Sequence, residues 1–291
     1  MLAFIDDCVA GIGGTSLTLD AIIEPNKAEV HLISTREFSL MDSFKYEGFI
    51  FGNTMGFTKN SFDAIIHTME TKPFFKIEFD YGYCIYRGRI PHKILSGQDC
   101  DCAKSNSTKG LRDIYNLIHA KSLHTFYMSE EQMLFHSNDL KSGSLENKSV
   151  LSSCFTSNTM LQFSNLCKKK KNSKFSIIDG NGGWHSQAKG VNESIKYAEN
   201  HSLDYEIIKT KTHEEMLNTL SNYHGLIFLP IIHDTCPRVT LEAKYMGLEV
   251  ITNSHSQHTK EKWWSGSIGN AFKFTQSRPN YFWNTLQQCL N

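Results

Sequence analysis

No run of apolar residues in this chain approaches the ~20 needed for a membrane-spanning helix. The 30 basic and 30 acidic side chains cancel to a formal net charge of +0, so no long-range field argues for nucleic acid as a partner. Eight cysteines among 291 residues do not make the disulfide framework that holds small secreted domains together. The N-terminus, Met1-Leu2-Ala3-Phe4-Ile5-Asp6-Asp7, turns acidic too early for a secretory leader. No internal repeat or low-complexity tract is present. No Gly-Lys-Ser or Gly-Lys-Thr element follows the first strand signal, which excludes a Walker phosphate loop there. What remains is the profile of a soluble enzyme in a reducing, cytoplasmic compartment, long enough for two separately cored domains.

What is present is a regular alternation of strand and helix signals. Leu2-Ala3-Phe4-Ile5-Asp6 reads as a short buried strand, and a breaker-rich turn, Gly11-Ile12-Gly13-Gly14-Thr15, follows it. Helical spacing then runs from Ser16 to Ile23. Val30–Ile33, Gly48–Gly52, Phe74–Phe79 and His124–Met128 are further strands, and a helix with Ser61 as its cap lies among them. Ser129 is expected to cap a helix that opens with Glu130-Glu131-Gln132. After the run Lys168-Lys169-Lys170-Lys171 the pattern restarts. Strands are expected at Phe175–Ile178, Tyr205–Ile208, Gly225–Pro230 and Glu249–Asn253, and helices over Val191–Asn200 and Glu214–Ser221. Such alternation predicts parallel sheets with helices on both faces. The lysine run reads as a solvated connection, and the domains are expected at 1–165 and 172–275, with 276–291 packing back on the first. A peripheral membrane contact by those lysines stays open.

The densest chemistry lies in His233-Asp234-Thr235-Cys236-Pro237-Arg238-Val239-Thr240-Leu241-Glu242-Ala243-Lys244-Tyr245-Met246-Gly247, between two of these strands. Two carboxylates placed there can face one polyhydroxylated ligand at the carboxyl ends of parallel strands. The plain alternative is an amphipathic helix capped by Asp234 or Thr235. The segment resembles the signature of the family 4 retaining glycosyltransferases: an acid, seven residues, a second acid, then Ala and a Gly before the next strand. Asp234, Glu242, Ala243 and Gly247 occupy those places.

That resemblance implies an α/β GT-B fold: two Rossmann-like, doubly wound domains facing a central cleft. It implies transfer of a sugar from a nucleotide-sugar donor with retention of configuration and no required cofactor. Glu242 would bind the donor ribose, and Asp234 would lie by the sugar. Gly13 and Gly14 match the family's glycine pair, whose helix N-terminus faces the diphosphate. Lys189-Gly190 matches its Lys-Gly in the loop Asn181-Gly182-Gly183-Trp184-His185-Ser186-Gln187-Ala188-Lys189-Gly190. The family's Arg in that loop is absent, so Arg238 is the cation expected to join Lys189. Phe79-Asp80-Tyr81 stands where the family has His-Asp-Tyr, which leaves Asp80 without the histidine. Catalytic roles therefore fall to Asp234, Lys189 and Asp80, and donor binding to Gly13, Gly14, Lys189, Gly190, Arg238 and Glu242. Arg87 and Arg89 are candidate phosphate contacts.

Cys84, His92, Cys100 and Cys102 are the one group with zinc-type donors. Their spacing lacks a Cys-x-x-Cys knuckle, so no metal is expected and a structural zinc is the alternative. Nor does an Asp-x-Asp element sit at a strand end, the device by which metal-dependent transferases of the other major fold hold an ion. The departures from the family pattern keep two further readings open: a catalytically weakened nucleotide-sugar-binding protein, and a sugar-nucleotide epimerase. The acceptor is not legible.

Overall fold

The computed structural model describes residues 1–9, 13–102, 109–138, 146–180 and 182–291, and the side chains of 109–111 are outside the description. Gly11, Ile12 and Asn181 therefore lie outside the described residues. Contacts divide the chain into two units, Met1–Cys154 with Ser277–Asn291, and Phe155–Gln276. Among the described residues no helix is long and apolar enough to cross a membrane.

The first unit alternates β1 (Leu2–Asp6), α1 (Gly14–Ile23), β2 (Val30–Ser34), α2 (Leu40–Lys45), β3 (Gly48–Phe51), α3 (Lys59–Thr71) and β4 (Phe74–Glu78). It continues through α4 (Arg89–Ser96), α5 (Lys109–Lys121), β5 (Thr125–Tyr127), α6 (Glu130–Asn138) and β6 (Lys148–Val150). The strands form one parallel sheet in the order β2-β1-β3-β4-β5-β6. β3 and β4 are buried at every position, as strands covered on both faces must be. Ala3, Ile5, Phe49, Phe51 and Phe74 fill one core with Ile65 and Met69 of α3. Thr58, not Ser61, caps α3. Ser61 sits three residues in and returns the bond to the Thr58 backbone, which completes a capping box.

The second unit contains α7 (Ser157–Leu166), β7 (Phe175–Ile178), α8 (Gly183–Ala188), α9 (Val191–Asn200), β8 (Tyr205–Ile208) and α10 (His213–Leu220). It ends with β9 (Gly225–Phe228), α11 (Arg238–Tyr245), β10 (Glu249–Thr252), α12 (Lys262–Ser265) and the first part of α13 (Ile268–Leu290). Its parallel sheet has the order β10-β9-β7-β8. The rest of α13 belongs to the first unit. There Trp283 donates to the Ile22 carbonyl at 2.7 Å and Arg278 to those of Val150 and Leu151.

The units meet in sequence at Cys154 and Phe155, ahead of the lysine run rather than at it. The reason is α7: Phe155 and Phe163 both pack edge or tilted against Tyr245 of α11. The exposed Lys168–Lys171 stretch is thus a surface turn inside the second unit.

Both sheets reverse direction once. In the first, the chain leaves β1 toward β2 and returns to β3 on the other side. In the second, it leaves β7 toward β8 and returns to β9. Open parallel sheets bind ligands outside the carboxyl ends of the strands at such a reversal. The loops after β1 and β3, and those after β7 and β9, therefore matter most.

Asp6 closes β1 at the first reversal. Its carboxylate accepts from the backbone N–H groups of Cys8 at 2.6 Å and Asn53 at 2.7 Å. Burial pushes its pKa up to about 6, against the pull of those two bonds and of Lys76. A carboxyl that holds its proton more tightly folded than unfolded favours folding below its unfolded pKa and loses that contribution as pH rises through the folded one. Between pH ~4 and ~6 the ionisation of Asp6 should therefore remove roughly 3 kcal/mol of stability. Carbon-13 carboxyl titration of the folded protein should place the Asp6 midpoint near pH 6. A midpoint near 4 would refute the buried, strained carboxylate.

Candidate functional site

At the reversal of the second sheet, α8 and its C-cap Lys189 follow β7, and Asp234 follows β9. Lys189 Nζ meets Asp234 Oδ2 at 2.7 Å, and its ammonium lies 5.6 Å from the Phe228 ring centroid. Asp234 is fixed by its backbone, which takes part in a parallel bridge to Ser256 and hydrogen bonds to His255 and Gln257. It does not cap α11. That helix starts after Pro237 with no side-chain cap, so the capping alternative for Asp234 and Thr235 fails.

Gly190 links the site to the sheet. It has φ +70°, and a Cβ there would stand 1.7 Å from the Leu229 carbonyl oxygen at the end of β9. Packing alone thus demands this glycine. Gly13 is different. Its φ of 172° is extended, and among the described residues nothing lies within 4 Å of where a Cβ would be. Gly14 is the first residue of α1, which has no side-chain cap among the described residues and whose first-turn N–H groups have no partner within the helix.

Glu242 is the fifth residue of α11 and is buried. Its Oε1 is 2.8 Å from His213 Nε2 and 3.4 Å from Arg238 Nε one helical turn back. Arg238 is itself buried, with its guanidinium 4.1 Å from the centroid of Phe155. Arg238 thus supports Glu242 from one helical turn back. His213 opens α10 directly after the Thr212 cap. No motif or spacing marks it in the sequence, and only its position just after β8 could have drawn notice.

In the first unit, Asp80 follows β4 by one residue. Arg87 Nη1 reaches its Oδ2 at 2.6 Å, and Arg87 Nη2 lies 3.5 Å from Asp7 Oδ2. Asp80 Oδ1 has no hydrogen-bond partner among the described residues. Burial raises the Asp80 pKa, and Arg87 opposes it. Asp7 accepts from the backbone N–H groups of Met55 and Gly56, so it clamps the loop after β3 to that after β1. Sequence reading passed over Asp7. Arg87 takes a left-handed φ of 58°, a cost of roughly 1–3 kcal/mol for a non-glycine residue. Its two carboxylate partners offset that strain. Arg89 instead stacks on Phe135, 4.6 Å from the ring centroid. Phe79 is buried, so no side chain there replaces the expected histidine.

The sulfurs of Cys84, Cys100 and Cys102 and the ring nitrogen of His92 lie within 4.8 Å of one another. This is the single such group of metal-type donors among the described residues.

No family model matches this sequence. No curated protein matches it either. Solved structures do match in fold. The chain resembles HepE of Anabaena, solved with UDP and glucose, at 9% identity and TM-score 0.57 over 99% of each chain. It resembles an alpha-glucosyltransferase, solved with UDP and a 13-mer DNA containing an HMU base, at 9% identity and TM-score 0.52, covering 100% of this chain and 90% of that one. A glycosyltransferase from Rickettsia africae aligns at 12% identity and TM-score 0.51, covering 98% and 93%. At such identities the likeness is one of architecture. The chain has the two-Rossmann, GT-B-like fold of these glycosyltransferases.

Proposed function

We propose that the protein is a glycosyltransferase that moves a sugar from a nucleoside-diphosphate-sugar donor to an acceptor. The observation that carries this reading is the Lys189–Asp234 pair at the reversal of the second sheet, together with the buried, doubly supported Glu242 on the helix that follows the same strand as Asp234. The solved structures of the same fold bind UDP or UDP-glucose, which makes a uridine diphosphate sugar the first donor to test.

The chemistry would be positioning and charge stabilisation. As the bond between the anomeric carbon and the diphosphate breaks, negative charge grows on the leaving phosphate. Lys189 is the cation available to that charge, and preorganised donors in a water-poor site stabilise it best. The resemblance to family 4 would add the first-turn amides of α1, next to Gly13 and Gly14, as a second set of donors. Glu242 would accept from ribose hydroxyls, and Asp234 would face the sugar. Asp80 would present its unpartnered Oδ1 to a hydroxyl. Retention of configuration is the outcome proposed from the resemblance to family 4. The acceptor is open. The neutral charge of this chain is the only argument against nucleic acid, and one structure of this fold holds DNA.

A second reading, donor binding without turnover, is favoured by one finding: Arg238 is committed to Phe155 and Glu242, so the missing phosphate arginine has no replacement there. Incubation with several nucleotide sugars separates the readings. Transfer or slow donor hydrolysis supports the transferase. Saturable binding with no turnover in the presence of varied acceptors would leave only the binding protein, and a C2-epimerised product would point to an epimerase.

Two substitutions test the residue assignments. Glu242→Gln keeps the size of the side chain and removes its charge, so donor affinity should fall by about 1–3 kcal/mol, the usual cost of losing a charged acceptor. Calorimetric titration with UDP and UDP-glucose measures it, and an unchanged affinity in a folded variant would remove Glu242 from the site. Lys189→Ala should lower turnover with little change in melting temperature, because the side chain is half exposed and its ion pair with Asp234 is worth little in water. Wild-type kinetics in that variant would defeat the role given to Lys189.

A further inference from the structure

We infer that Cys84, His92, Cys100 and Cys102 form a closed, structural zinc site. The sequence alone weighs against this, because the four donors lack a close cysteine pair with two intervening residues. The fold supplies what the spacing does not. Cys84 lies in the turn before α4, His92 in its first half, and α4 ends at Gly97, whose φ of 73° turns the chain back. The return brings Cys100 and Cys102 to the other two donors.

The separations are those of a common centre. His92 Nδ1 lies 3.4 Å from Cys84 Sγ and 3.4 Å from Cys102 Sγ, and Cys100 Sγ lies 3.6 Å from Cys84 Sγ. All four atoms fall within 4.8 Å of one another. Zinc–sulfur bonds of about 2.3 Å in a tetrahedron put the ligands about 3.8 Å apart. Hydrogen bonding explains this arrangement less well, because two thiols converge on one ring nitrogen. A disulfide does not explain it either, since none of these cysteines is bridged.

The surroundings agree. Cys84, His92 and Cys102 are buried, and Tyr81, Tyr83 and Tyr115 pack around the two thiols. Tyr86 sets its ring edge against His92 at 4.9 Å between centroids. Three thiolates and an imidazole are a soft, nitrogen–sulfur donor set that suits zinc over magnesium or calcium. Four protein donors complete a tetrahedron and leave no position for substrate, so this ion would be no Lewis acid for sugar transfer. Its task would be to hold the segment that carries Arg87 and Asp80, which begins and ends within the same loop.

The test reads metal rather than activity. The full chain, purified without chelator or added metal, should contain about one zinc per molecule by plasma mass spectrometry. Unfolding and refolding with cobalt(II) should give the visible d–d bands and near-ultraviolet sulfur-to-metal charge transfer of a tetrahedral thiolate site. Cys102→Ser should lose most of the zinc. Cys167→Ser, at an exposed position in the second unit, should keep it. If Cys102→Ser fails to fold, the wild-type cobalt spectrum decides alone. Less than about a tenth of an equivalent of zinc together with a featureless cobalt spectrum would overturn the site. So would a native disulfide between Cys84 and Cys100 in non-reducing peptide maps, or equal zinc in both cysteine variants.

Discussion

The first unit turns on a lysine and a glutamate buried side by side on one strand. Lys76 and Glu78 share a face of β4, and neither is open to water. Their charges meet at 3.1 Å. Burial alone would raise the Glu78 pKa, but Lys76 and the His119 hydrogen bond outweigh it and hold the carboxyl well below its usual range. The remaining valences are used with equal economy. Lys76 donates to the Gly52 carbonyl at the end of β3, and Glu78 accepts from the Gly82 N–H in the loop that follows. Removing one partner from such a pair strands the other charge, at a cost of roughly 3–5 kcal/mol. The pair thus fixes three things at once: the ends of β3 and β4, the seat of α5 through His119, and the departure of the loop that carries Asp80, Arg87 and the cysteine cluster.

That loop shows how strain is distributed. Arg87 is held in a left-handed conformation between Asp7 and Asp80. Upstream it hangs from Glu78; downstream it runs into Cys84's neighbours and α4. Asp80 has one oxygen bonded to Arg87 and the other without a partner among the described residues, and its loop is held at both ends. The buried ion pair anchors one end. The Cys84, His92, Cys100 and Cys102 group is the natural anchor for the other.

Much of the architecture was legible because parallel strands have little choice of composition. Phe175–Ile178 and Tyr205–Ile208 fall where the sequence places them, and so does the helix Val191–Asn200. Runs of aromatic and β-branched residues between polar turns admit few alternatives. What misled was charge. The lysines after Cys167 mark exposure, and exposure is common to linkers and to surface turns; the packing of Phe155 and Phe163 on Tyr245, which sets the boundary, has no sequence signature. β6, Lys148–Val150, carries one apolar residue in three and was invisible to periodicity. At the candidate site the residues brought together by local motif, Asp234 and Glu242, were readable. His213, which meets Glu242 in the second unit, was not, and neither was Asp7, which meets Arg87 in the first: both act through tertiary proximity alone. The Phe155 ring beneath Arg238 is likewise revealed only by the fold.

The pairing of Lys189 with Asp234 bears on how a donor would be taken up. In the structure Lys189 is neutralised by Asp234. On the proposed reading, a diphosphate competes with that carboxylate for the ammonium. The competition is close to balanced in open water, where an exposed pair is worth about 0–1 kcal/mol. A diphosphate offers more charge and more acceptor oxygens than one carboxylate, so it gains the lysine without a large penalty. Asp234, released from the pair, becomes an acceptor for sugar hydroxyls at the moment that Lys189 turns to phosphate. The same residue would thus guard the cation when the site is empty and read the sugar when it is full. Asp234 suits both tasks, because its backbone is pinned by Ser256, His255 and Gln257 and its one-carbon arm cannot follow the lysine away.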